Sequence, residues 1–151
     1  MKIRTTFMGA ALCAMVAACS SAPDTTERAD AIQTKADALK IITPLYIQIE
    51  PFNGVPEVDV MTCPNLHQGN IPDAQMCHGT GDLEEVLITV RDARNRIVNV
   101  LVEDRPGGGC VHVQIPGLAA GMTVSALAVV KGVPDATAYS VGRISEVVPA
   151  M

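Results

Sequence analysis

Tryptophan is absent from this 151-residue chain, and aromatics are scarce altogether, with two Tyr and two Phe. Sites for sugars and single-stranded nucleic acids stack their ligands on aromatic platforms, so the composition argues against both. Hot spots of protein interfaces draw on Trp, Tyr and Arg, so an interface here must use aliphatic side chains or exposed strand edges. Basic residues are also few: 11 Lys and Arg against 16 Asp and Glu, for a net charge of −5, with no block of Lys or Arg. Such a chain has no grip on nucleic-acid phosphates or anionic head groups. A Gly-x-Ser-x-Gly nucleophile elbow is missing. The one Gly-rich stretch, Arg105-Pro-Gly-Gly-Gly109, leads into a strand, whereas phosphate loops lead into a helix N-terminus.

The apolar segment Phe7–Ala18 is 12 residues long and follows Lys2 and Arg4. A bilayer-spanning helix needs roughly 20 apolar residues, so the segment reads as a removable signal peptide over 1–18. It closes on Val16-Ala17-Ala18-Cys19, which resembles the lipobox of bacterial lipoprotein signal peptides. The resemblance implies cleavage before Cys19, acylation of that residue, and a membrane partner reached through the lipid anchor. Two or three acyl chains anchor durably where one does not. Ser20 occupies the position where Asp often retains lipoproteins in the inner membrane, which points to the outer membrane facing the periplasm. The remaining 133 residues carry 9 basic and 16 acidic side chains, a formal charge of −7, and have room for one domain.

Residues 19–42 read as the lipidated Cys and a polar, Ala-rich tether. A flexible tether is preferred to a weak helix over Thr26–Lys40 with Ala29, Ile32, Ala36 and Leu39 on one face. As a flexible chain it reaches on the order of 25 Å, keeping the domain close to the membrane. From residue 45 the period changes to two. Leu45, Ile47 and Ile49 alternate with polar neighbours, as do Val58 and Val60, then Val86, Ile88 and Val90, then Val98, Val100 and Val102, then Val111, Val113 and Ile115. Residues 122–131 and 138–148 are apolar, and Gly, Pro, Asn and Asp separate the runs. This spacing predicts about seven strands over 43–149, no helix after residue 44, and an all-β antiparallel sandwich of two sheets.

Ile88-Thr-Val-Arg-Asp92, Asn95-Arg-Ile-Val98 and Ile115-Pro-Gly-Leu118-Ala-Ala-Gly121 resemble transthyretin-like and carboxypeptidase-regulatory β-sandwich modules. The last segment also resembles the corner of fibronectin type III domains. Asn95 stands where the first family often has Gly, and Val124 where both often have Tyr. The resemblance implies an Ig-like or transthyretin-like sandwich and a structural or binding role, as an analogy of fold.

Each cysteine after Cys19 has a histidine nearby: Cys63-Pro-Asn-Leu-His67, Cys77-His78 and Cys110-Val-His112. In an oxidising envelope compartment paired cysteines oxidise. Three cysteines allow three pairings, of which Cys63–Cys77 is favoured because it closes the long loop 64–76. Such a staple contributes roughly 3 kcal/mol in the chain-entropy picture. The alternative is a soft-metal site for copper or zinc using Cys63, His67, Cys77, His78, Cys110 and His112, with Met61 and Met76 close by. Cys110 and His112 share a strand face about 6.5–7 Å apart, but no Cys-x-x-Cys or His-x-x-x-His spacing supports the site. A c-type haem motif fails because Ala74 stands where its first Cys would be. A Cys110–His112 nucleophilic pair lacks an orienting third residue. The loop from Pro64 to Asp82 offers Asn65, His67, Gln68, Asn70, Asp73 and Gln75 for binding. The sequence thus predicts a non-enzymatic envelope lipoprotein, a structural or protein-binding module with a protein partner and no cofactor.

Overall fold

Asn53 and Gly54 both take positive φ, at 53° and 78°, and join Phe52 directly to its cross-strand partner Val55. Two consecutive left-handed residues make the tight turn whose twist matches a right-handed hairpin, and Asn-Gly is the pair that adopts it at least cost. This turn opens the fold. The computed structural model of the chain describes residues 24–62, 82–104, 109–131 and 139–151. The signal segment and Cys19 lie outside the described residues, as do Cys63, Asn65, His67, Gln68, Asn70, Asp73, Gln75, Cys77 and His78.

The chain is rich in β-structure. A helix, α1 (Thr25–Ala38), precedes strands β1 (Leu45–Phe52), β2 (Val55–Thr62), β3 (Asp82–Arg91), β4 (Ile97–Asp104), β5 (Cys110–Gln114), β6 (Thr123–Lys131) and β7 (Tyr139–Val147). The strands form two antiparallel sheets in the orders β1-β2-β5 and β4-β3-β6-β7. The sheets face one another as a sandwich. Leu45, Ile47, Val58, Val60, Val111 and Val113 from the first sheet meet Val86, Ile88, Val90, Val124, Ala126, Ala128 and Val130 from the second. Val58, Val60, Val86, Ile88 and Val111 are fully buried. β-Branched residues suit this pleated interior because their stiff side chains pack with little further loss of freedom.

The stretch expected to be a flexible tether is instead helix α1, docked on the outer face of the four-stranded sheet. Ile32 and Ala36 are buried against Leu87, Leu127, Val129 and Val141. Ala29 and Leu39, half-buried, complete the stripe, so the four residues placed on one face in the weak-helix alternative do pack together. The helix owes its stability to docking rather than to amphipathic pattern or propensity. Around the stripe, Arg28 pairs with Asp104, Arg143 with Asp37, and Lys35 with Glu85 at 3.0 Å. These pairs are solvated, so they fix the helix's position more than they stabilise it. Val100 and Val102 of β4 join this outer cluster, while Leu101 turns inward. Among the described residues no helix is long and apolar enough to cross a membrane.

Asn95, found where the resembled modules often have Gly, has φ of 61°. It therefore supplies the left-handed geometry that Gly would, which Asn tolerates better than most side chains. Asp92 holds the same turn: its carboxylate accepts hydrogen bonds from the backbone N–H of Arg94 and Arg96 and from the Arg96 guanidinium. The Arg96 side chain is the main reason its pKa lies below the usual carboxylate range. Gly117 and Gly121 of the β5–β6 corner likewise have φ of 82°.

The two sheets are closed at one side where Leu45 of β1 lies over Gly142 of β7. A Cβ at Gly142 would collide with the end of the Leu45 side chain, 2.7 Å from both of its δ-carbons. Leu45 is itself buried, so it has little room to yield. Gly142→Ala is expected to destabilise the fold by about 1–3 kcal/mol, read as a lower urea midpoint with an unchanged slope. An unchanged midpoint would mean that this close approach does not exist.

Candidate functional site

The inward valines of β2 and β5 determine what the opposite face of the small sheet carries. With Val58, Val60, Val111 and Val113 in the core, Glu57, Asp59 and Met61 of β2 and Cys110, His112 and Gln114 of β5 point outward, because side chains alternate along a strand. The register aligns them in rows. Tyr46, Met61 and Cys110 form one, Gln48, Asp59 and His112 the next, and Glu50, Glu57 and Gln114 the third.

The middle row holds the chemistry. His112 Nδ1 lies 2.6 Å from Asp59 Oδ1. The His112 side chain is 56% exposed and that of Asp59 only 10%. Glu57 lies beside them, and one ligand atom from each of Glu57, Asp59 and His112 falls within 4.8 Å of the others. Glu50 and Glu57 are directly opposed across β1 and β2, and like charges in that position destabilise a sheet. The three strands of this sheet contain no Lys or Arg, so His112 is the one side chain on them that can carry positive charge.

Cys110 packs against Met61 in the first row. It is a free thiol and half-buried. Burial pushes its pKa up to about 11, and the negative charges of Asp59 and Glu57 add to the rise. A nucleophilic or redox-active cysteine needs the opposite shift, toward the thiolate. The shift at Cys110 runs the other way, although His112 shares its face.

Of the residues picked out from sequence for a metal site, Cys110 and His112 do share a face. The other four lie outside the described residues, together with the proposed binding loop and the Cys63–Cys77 pair. The sequence reading missed Asp59 and Glu57. Their alternation with Val58 and Val60 was a signal that they point outward, but that β2 pairs with β5, across an excursion through the other sheet, is a tertiary fact. Among the described residues β1, β4 and β5 each pair on one side only, while β7 has a further bridge from Val141 to Ile42. Ile97 and Val98 of β4 are 54% and 51% exposed, an apolar pair on an unpaired edge. Comparisons with protein families, with curated proteins and with solved structures find no match to this chain.

The raised pKa favours the neutral thiol in the folded state. Its contribution to stability is complete below the ordinary thiol pKa and is lost as pH rises through about 11. At pH 8, alkylation of Cys110 in the folded chain, followed by peptide mass spectrometry, is expected to be slower than in the urea-unfolded chain by roughly two orders of magnitude. Asp59→Asn should speed it by removing one of the two charges. Equal rates in folded and unfolded chain would show that Cys110 is not held as described.

Proposed function

We propose that the chain is an envelope lipoprotein, acylated at Cys19 and held at the periplasmic face of the outer membrane. Its Ig-like or transthyretin-like sandwich of seven strands serves as a non-enzymatic module that binds another protein. The sheet orders β1-β2-β5 and β4-β3-β6-β7, with the chain crossing between sheets after β2, β4 and β5, support that fold. So do the left-handed glycines of the β5–β6 corner, as in the Greek-key sandwiches that the sequence resembles.

The observation that carries the binding role is the open edge of β4 with Ile97 and Val98 exposed. An unpaired edge offers main-chain donors and acceptors to an incoming strand, and apolar side chains along it add affinity. Chains that avoid such pairing blunt the edge with charge. Here the charges, Glu103 and Asp104, stand at the far end of the strand. In a chain poor in aromatics, an aliphatic edge is the interface that its composition allows. The loop residues Asn65, His67, Gln68, Asn70, Asp73 and Gln75 are a second contact surface within the same reading. The soft-metal alternative has Cys110 and His112 on one face in its favour.

A photoreactive residue at Val98 of the full chain, produced in a Gram-negative envelope, should give a discrete cross-linked adduct. The same residue at exposed Asp30 should not. Ile97→Lys combined with exclusion of the edge by Val100→Lys would confuse folding with binding, so the blocking variant is Ile97→Lys alone, which should abolish the Val98 adduct while fractionation stays unchanged. Cys19→Ser should shift the protein from the membrane to the soluble fraction. An adduct that survives Ile97→Lys contradicts the edge as the interface, and membrane retention of Cys19→Ser contradicts the anchor.

A further inference from the structure

We propose that Glu57, Asp59 and His112 bind a divalent first-row transition-metal ion, with Zn2+ as its representative, on the outward face of the β1-β2-β5 sheet. The site is distinct from the edge of β4 and independent of the binding role inferred from it.

The donor set argues for the class of ion. Two carboxylates and an imidazole suit zinc and its neighbours, whereas calcium and magnesium prefer shells made of oxygen alone. The geometry argues for the place. The three ligand atoms fall within 4.8 Å of one another. Ligand atoms around a tetrahedral ion with bonds of about 2.0–2.1 Å stand roughly 3.4 Å apart, so side-chain rotations suffice to close the set. Two of the ligands are a directly opposed cross-strand pair, Asp59 with His112, and the third, Glu57, is two residues along the same strand face. Their backbones are thereby fixed by the ladder, which is the rigidity that a preformed site requires. The His112 side chain is 56% exposed, so an ion has access to it from solvent.

Electrostatics supplies an independent reason. Asp59 is an almost buried carboxylate whose one described polar partner is His112, on a sheet with no Lys or Arg. Glu50 opposes Glu57 one row away. Among the described residues no Lys or Arg pairs with this anionic cluster, and a bound cation would stabilise it.

The test is a titration of the reduced full chain with Zn2+ against a chromophoric chelator, with the His112 ring 15N resonances followed in parallel. Wild-type chain should bind zinc with a shift of the His112 ring resonances. His112→Ala should weaken binding by about tenfold or more and Glu57→Gln severalfold, while Cys63→Ser combined with Cys77→Ser should leave the affinity of this site unchanged. His112 is a surface residue, and a preserved far-UV circular dichroism spectrum would show that its variant is folded. Absence of zinc binding by the wild-type chain overturns the proposal. So does equal affinity in His112→Ala, binding that vanishes only with the cysteine pair, or zinc uptake without any change at the His112 ring.

Discussion

Strand β2 is the constraint on which the arrangement rests. It lies in the middle of the three-stranded sheet, and Val58 and Val60 are completely buried between the two sheets. Side chains alternate strictly, so a slip of one residue would drive Asp59 and Met61 into that core and expose both valines. Burying a carboxylate there without a charged partner would cost more than the hydrophobic gain of the layer could offset. The register is therefore held by the core, and the core in turn dictates the outer face. The row of Asp59 and His112 is a consequence of where the valines must go.

The second sheet obeys the same rule with a different covering. Its inner face joins the sandwich core and its outer face receives α1 through Ile32 and Ala36. The result is three layers: helix, four-stranded sheet, three-stranded sheet. The helix shields Leu87, Leu127 and Val129, which would otherwise form an exposed apolar patch. Among the described residues no helix covers the outer face of the small sheet, which carries the Tyr46, Met61 and Cys110 cluster beside its polar rows. The two outer faces are thus unequal: one is closed by the chain's own helix, and the other presents carboxylates and an imidazole to its surroundings.

Much of the fold was legible from residue 45 onward, because each β-branched run has the period of two that a half-buried strand imposes. Asn95 marks the β3–β4 turn, since its left-handed φ is one that Asn tolerates better than most side chains. The helix was harder to see. Ala29, Ile32, Ala36 and Leu39 gave a helical face, but a narrow one rich in Ala, and the sheet surface that stabilises α1 belongs to residues more than forty positions away. The cluster at Asp59 was illegible for a related reason. Alternation places Glu57, Asp59 and His112 on polar faces, but only the pairing of β2 with β5 makes those faces one. That pairing skips two strands of the sequence.

The account stands on that pairing, and a double-mutant cycle between Asp59 and His112 tests it most directly. Asp59→Asn, His112→Gln and the double variant would be unfolded in urea beside the wild-type chain under the same buffer. Direct contact at 2.6 Å predicts a favourable coupling energy of at least about 0.5 kcal/mol. Strict additivity of the two substitutions would mean that the side chains do not meet, and that β2 and β5 are not in this register.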